Sequence, residues 1–478
     1  MSIARLIRKG TIAASILPIL AAAPPANAQQ IDYAVRSTGA FLTDGRRDLG
    51  LAGEDTSGAF YLNVAPRVVV ELNRSWSGYA RARVFLPTDR IAANVSDERD
   101  DTRPARSFAG LNEFWIQYTG LTSYPGEALR IGRQRIRQSG NEWWDQDADA
   151  IRWVLDSTLL SVDLGAAHQF SMYRTDAPSV PREQRDRTYF FGTLSADWLP
   201  EDRIGLRVTH AADDLDLPAI GTDVSADEKL QDARLTWLGL YAHNGFFDIR
   251  ANERRLAYGA EVTHLSGSQT VAQREANGVI SGHVAQDVRA WQASAGVRWQ
   301  PFIRMPVRVG AAYTYSEGGE RNGRSTQFQQ TGMQSNASYF TGVQTLIDRY
   351  DETLQPELGN LLVASGFVAV RGLDNEAGVV YSNLQRDSVN SPIVTRNVIV
   401  APQVPSRDIG QGVSLVFTHY FDREMRRQRL LDRGDAFTAP ERRSTVSLHA
   451  SVFEPGAAYG PDARTDYRAQ LEVNLWLD

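Results

Sequence analysis

The chain has 478 residues, a formal net charge of −6 and no cysteine, which excludes a disulfide framework, a thiolate metal site and a cysteine nucleophile. That acidity argues against nucleic acid as a partner, and no window of about 18 apolar residues follows residue 28, so no transmembrane helix is expected. Of the 51 basic residues only Lys9 and Lys229 are lysines; the positive charge is almost entirely guanidinium, which forks onto carboxylates through two parallel hydrogen bonds.

Residues 1–28 read as a secretory signal peptide. Arg5, Arg8 and Lys9 precede the short apolar run TIAASILPILAAA, and Ala26-Asn27-Ala28 supplies small residues for cleavage before Gln29. Losing those three basic residues takes the formal charge from −6 to −9.

The segments that follow alternate with period two, the signature of strands with one apolar and one wet face. Leu160, Val162, Leu164 and Ala166 oppose Ser161, Asp163 and Gly165. Phe190, Leu194, Ala196 and Trp198, then Ile204, Leu206 and Val208, oppose Thr193, Ser195 and Asp197, then Arg203, Arg207 and Thr209. Trp291 to Trp299, Val307 to Tyr315 and Tyr467 to Leu477 repeat the pattern. Such strands run about nine to eleven residues, enough for a tilted strand to cross a bilayer. Trp198, Trp299, Tyr313, Tyr315, Tyr467 and Trp476 fall near strand ends, as in an interfacial girdle. Tight connections at 156–158 and 199–202 alternate with long polar ones at 87–108, 172–187, 211–230, 266–288, 316–340, 384–408 and 422–443. The expected fold is all-β: a transmembrane antiparallel β-barrel of about 18 strands with short periplasmic turns and long extracellular loops. A soluble all-β protein that buries the apolar faces against a second sheet is the competing reading.

One stretch departs from plain alternation: RIGRQRIRQSGNEWWDQD, residues 130–147. Arg133, Arg135 and Arg137 share one parity. Facing lipid, each would cost about 2–4 kcal/mol near the midplane, so the three are expected to face a water-filled lumen. Leu129 and Ile131 share that parity too, so either the strand begins in a turn or a bulge shifts its phase. Glu142, Asp145 and Asp147 follow closely. On one reading the arginines hold an acidic polymer and the interspersed carboxylates weaken each site enough to let it move on; on the other the charges form a salt-bridge network that only braces the barrel wall.

No phosphate-binding loop, H-E-x-x-H or G-x-S-x-G motif is present. The seven histidines show no ligand spacing, and no cofactor or metal is expected.

Several long stretches resemble the alginate export family of outer-membrane proteins: EFWIQYTGLTSYPGEALRIGRQRIRQ (113–138), YRTDAPSVPREQRDRTYFFG (173–192), LTWLGL (235–240), QFQQTGMQSNASYFTG (327–342), ELGNL (357–361), DIGQ (408–411) and EPGAAYGP (454–461). The resemblance implies an 18-stranded monomeric barrel whose arginine-rich constriction selects a polyuronate, with loops over both mouths. Its constriction positions fall on Arg36, Glu113, Arg135, Asp145, Asp176 and Glu472, with Asp147 where the family has an amide. Segment 422–443 corresponds to a periplasmic mouth loop. Where the family places further arginines this chain has Ala65, Asn112, Leu346, Gln355 and Ser447, with Arg67 and Arg349 as nearby substitutes.

The first functional expectation is an outer-membrane pore for passive export of an anionic exopolysaccharide such as alginate, without a chemical step. Arg133, Arg135, Arg203 and Arg207 would contact carboxylates, and Asp145 and Asp176 would moderate them. Its partners would be that polymer, outer-membrane lipid and periplasmic export machinery. An uptake porin for acidic oligosaccharides and a secreted carbohydrate-active enzyme are the alternatives.

Overall fold

The computed structural model describes residues 30–477 except 54–55, 90–93, 96–97, 100–106, 139, 177–179, 181–185, 200–201, 225–229, 248–254, 276–277, 303–305 and 422–443. The signal segment 1–28 and the mouth loop 422–443 therefore lie outside the described residues.

Eighteen long strands form the wall. The first six are β1 (Gln30–Asp44), β2 (Ser57–Glu71), β3 (Trp76–Pro87), β4 (Phe108–Tyr118), β5 (Glu127–Arg137) and β6 (Asp145–Asp156). Then come β7 (Leu160–His168), β8 (Arg187–Leu199), β9 (Asp202–Asp213), β10 (Gln231–His243), β11 (Leu256–Arg274) and β12 (Ile280–Trp299). The last six are β13 (Val307–Ser316), β14 (Leu361–Arg371), β15 (Asn375–Gln385), β16 (Asp408–Tyr420), β17 (Thr445–Pro455) and β18 (Asp466–Leu477). Each pairs antiparallel with the next, and β18 returns to β1, from Val35 opposite Leu477 to Asp44 opposite Arg468. The sheet closes on itself and leaves no open edge, the condition a sheet must meet to stand in lipid.

The alternation decides which face meets what. Phe190, Leu194, Trp198, Ile204, Leu206, Trp291, Val297, Trp299, Leu471 and Leu475 are exposed on the outer wall, whereas Arg207, Thr209, Gln292, Arg298, Gln470 and Asn474 are buried inside. A second sheet would have covered the outer set; here nothing does. Trp476 departs from the girdle reading. It shares the inward parity of Glu472 and Asn474, and its ring carries the Arg67 guanidinium at 4.1 Å.

Segment 266–288, expected as a loop, is a hairpin. β11 and β12 stay paired from Leu256–Trp299 up to Arg274–Ile280. Its polarity on both faces reflects its position beyond the lipid band, where no apolar stripe is required. The loop after β13 is longer than expected, running to Asn360. It turns back into the cylinder, where Phe328, Met333, Tyr350, Leu354 and Leu358 pack with Trp143, Trp144 and Ile136. The apolar core thus lies inside the barrel, beneath the long-loop end.

The parity conflict in β5 resolves at Gly132. Its φ of 126° is open to glycine and strained for other residues, and an added Cβ would collide with the Phe114 carbonyl. Below it, Ile131 faces outward and Arg130 inward. Above it, Arg133, Gln134, Arg135, Ile136 and Arg137 are all buried. β4 pairs with β5 only from Phe114–Arg133 to Tyr118–Leu129. Beyond that, β5 leaves the wall with β6, and their upper hairpin enters the lumen. Residues 173–175 take its place beside β4: Leu111 N–H donates to Tyr173 O at 3.0 Å and Thr175 N–H to Ala109 O at 2.9 Å.

Candidate functional site: an ion-paired throat

The inward hairpin places its charges against the wall. Arg81 on β3 reaches Glu113 on β4 at 3.0 Å and Asp147 on β6 at 3.3 Å. The Arg135 backbone N–H donates to the second Glu113 oxygen at 3.0 Å, and its guanidinium grips Asp145 at 2.8 and 2.6 Å. Arg137 approaches the same Asp145 oxygen at 3.4 Å, and Ser335 of the long loop donates to the other at 2.5 Å. Asn112 donates to Asp147 at 3.2 Å. Arg81, Arg135 and Arg137 thus meet Glu113, Asp145 and Asp147 in a network of zero formal charge.

A second group closes the hairpin tip. Arg207 donates to Glu261 at 2.8 Å and stacks on Tyr241 at 4.5 Å and on Trp143 at 5.3 Å. Glu142 is held by Arg349 and by the Tyr350 hydroxyl. Burial pushes the Glu142 carboxyl above the usual range, against the pull of Arg349. Asn141, at φ 55°, ties the tip to the long loop. Its side-chain amide donates to Ala337 O at 2.6 Å, and its backbone carbonyl accepts the Ser335 and Asn336 N–H groups at 3.1 and 3.2 Å.

Farther along the same loop, Asp351 is 2 % exposed. One of its oxygens accepts the Thr353 and Leu354 N–H groups at 2.9 and 2.6 Å. Burial, with Asp348 and Glu352 nearby, pushes its carboxyl up to about 7, partly offset by those two N–H groups. Its other oxygen sits where a Cβ on Gly412 would lie.

The remaining sequence-derived residues divide. Arg36 and Glu472 face inward on β1 and β18; Glu472 accepts from Asn474 at 2.6 Å and from Tyr61 at 3.2 Å. Arg133 lies in the gap between β4 and β6, 3.5 Å from Asp149, donating to Asn112 O at 3.1 Å and Ser171 O at 3.3 Å. Arg203 pairs with Asp197 at 2.7 Å near the short-turn end. Asp176 pairs with Arg174 at 2.8 Å, and Arg174 stacks on Phe108 at 3.8 Å. Arg67 stands on the lumen face two residues from Ala65. Neither Arg81 nor Glu261 was singled out from the sequence. Arg81 and Arg83 in YARARVF carry the same two-residue spacing as Arg133 to Arg137 and are the signal that was available.

The alginate export family model matches residues 34–470. The chain belongs to the alginate export family. It is 34% identical over 456 residues to the alginate production protein AlgE of Pseudomonas aeruginosa, covering 92% of this chain and 90% of that one. It is 31% identical over 456 residues to AlgE of Azotobacter vinelandii, covering 90% of each. Among solved structures it resembles P. aeruginosa OccK8 (OprE), with a TM-score of 0.54, 10% identity and coverage of 94% and 98%, and OpdK with a TM-score of 0.52 and 10% identity over 94% and 99%. At such identity these two speak for the fold. This family member is an outer-membrane barrel, its short turns on the periplasmic side and its long loops outside.

Proposed function

We propose that this barrel is a passive outer-membrane pore for export of an anionic exopolysaccharide, alginate being the polymer its family and AlgE relatives point to. The observation that carries this reading is the throat itself. Guanidinium groups from β3 and from the inward hairpin stand at the lumen, each matched to a carboxylate. A uronate entering that throat exchanges with a resident carboxylate instead of falling onto a bare cation. At 4 Å and an effective dielectric near 20, one bare arginine–carboxylate contact is worth about 4 kcal/mol before desolvation. Several in a row would immobilise a polyanion; exchange keeps passage level. Arg135 with Asp145, and Arg81 with Glu113 and Asp147, are the central contacts. Arg36, Arg207, Glu472 and Asp176 extend the path, while Arg133 and Arg203 act where they sit, at the wall gap and the periplasmic end. The barrel works as a monomer, without cofactor or chemical step, and receives polymer from periplasmic export machinery.

Planar-bilayer recording tests the proposal. The barrel should conduct anions and be blocked by oligouronates, and Arg135→Glu should shift the reversal potential toward cation selectivity. A cation-selective channel indifferent to uronate would refute it.

A further inference from the structure

The outer wall carries an unassigned patch where β9 to β12 rise out of the lipid band. Val208, Leu238, Val262 and Trp291 end the exposed apolar surface there. One rung higher, the ladder reads His210, Thr236, Ser266 and Arg289, successive cross-strand partners on four strands. The next rung carries Arg234 opposite Ser268. Arg234 and Arg289 are both exposed and flank β11 from either side, two strand spacings across and one rung along, about 12 Å apart. Among the described residues neither arginine makes an ion pair. His264, its ring tilted at 52° against Trp291 with centroids 4.5 Å apart, has its Nε2 buried without a hydrogen-bond partner.

Acids are present: Asp232 stands beyond both arginines, Asp287 is level with Arg234 across Ser268, and Glu317 lies beside Trp291. Asp287, two residues beyond Arg289, lies 3.9 Å from the Arg324 guanidinium, both side chains being exposed. Asp232, two residues beyond Arg234, accepts the Leu215 N–H at 3.3 Å. Glu317 accepts the Trp291 N–H at 2.9 Å. From the apolar band outward the wall carries aromatic and aliphatic groups, then Arg289 with Ser266, then Arg234 with Ser268 and Asp287, and then Asp232. Membrane lipids present acyl chain and then phosphate in that same order, and arginine is the side chain best shaped for phosphate.

We propose that Arg234 and Arg289, with Ser266 and Ser268, form a site for the phosphate headgroup of an outer-leaflet lipid whose acyl chains lie along Leu238, Val262 and Trp291. The site faces away from the lumen and does not depend on what the lumen carries.

The full mature barrel, reconstituted in phosphatidylcholine vesicles with and without 10 mol% phosphatidate, tests this by counting lipids retained per barrel in native mass spectrometry. The wild type should enrich phosphatidate about tenfold or more over its vesicle fraction. Arg234→Gln/Arg289→Gln should fall to near the vesicle ratio, while Arg234→Lys/Arg289→Lys should keep most of the enrichment. Arg321→Gln, at an exposed loop position, should change nothing. A heat-modifiable band confirms that each variant is folded. Equal enrichment in the double glutamine variant and the wild type would overturn the site, as would an absence of enrichment in the wild type. Equal loss of phosphatidate on adding millimolar inorganic phosphate to the wild type and to Arg321→Gln, with free phosphate raising the unfolding temperature as much as phosphatidate does, would reassign it to a soluble anion.

Discussion

Replacing Asp147 with Asn changes the charge of the throat with little change of shape. Asp147 faces Arg81 at 3.3 Å and Asn112 at 3.2 Å, and an amide keeps a carbonyl acceptor for both. With its charge gone, Arg81, Arg135 and Arg137 face only Glu113 and Asp145, so the network passes from neutral to +1. A uronate about 5 Å away gains about 0.8 kcal/mol at the dielectric of water and about 3 kcal/mol at an effective value near 20. A middle value of about 1.5 kcal/mol corresponds to roughly tenfold in affinity. In single-channel recordings, the oligouronate concentration giving half block should fall about tenfold and the reversal potential should move toward anion selectivity. Raising the salt to about 1 M should shrink both effects, because the screening length drops to about 3 Å. A half-blocking concentration within twofold of wild type in a folded variant would refute the placement of Asp147 beside the permeating chain.

Three further outcomes are expected. Gly132→Val forces a β-branched residue into φ 126° and should destabilise the barrel by about 1–3 kcal/mol, lowering the temperature at which the fast-migrating band is lost; no change would mean that β5 tolerates a regular path. Asn141→Ala removes the side-chain bond to Ala337 O and leaves the two backbone bonds to Ser335 and Asn336; it should cost about 1–3 kcal/mol of docking and raise mean conductance, and an unaltered conductance would show that the loop is held elsewhere. Asp351, whose folded carboxyl sits at about 7, is protonated when docked and ionised when released between roughly pH 4, the ordinary value, and about 7. Loop docking is therefore strongest below that window and weakens by about 1.4 kcal/mol per pH unit through it. Open probability should rise with pH, Asp351→Asn should flatten the profile, and an identical profile in that variant would remove Asp351 from the account.

The wall was readable from the residues because lipid demands an apolar outer face. Phe190 to Val208 and Tyr467 to Leu477 display the period directly. Where lipid makes no demand the pattern lost its meaning: 266–288 looked like a loop because a hairpin standing clear of the bilayer is free to be polar on both faces. The throat was half legible. Arginines on one parity pointed inward, and Leu129 and Ile131 betrayed a break. That β5 leaves the wall beyond Gly132 depends on which segment pairs with the upper edge of β4, a contact made from 62 residues further along, between Leu111 and Tyr173. Glu142 and Arg349 lie farther apart still, and local spacing carries no trace of such a pairing.

The ladder between β4 and β5 has five rungs, where that between β11 and β12 has nineteen. A closed cylinder is as strong as its shortest seam, so pulling or heating should part this one first, at the place where three loop residues stand in for a strand. The same shortfall slackens the hoop exactly beside the throat, and a tube slack on one side can widen there for a bulky passenger while the opposite, fully laced side holds its shape.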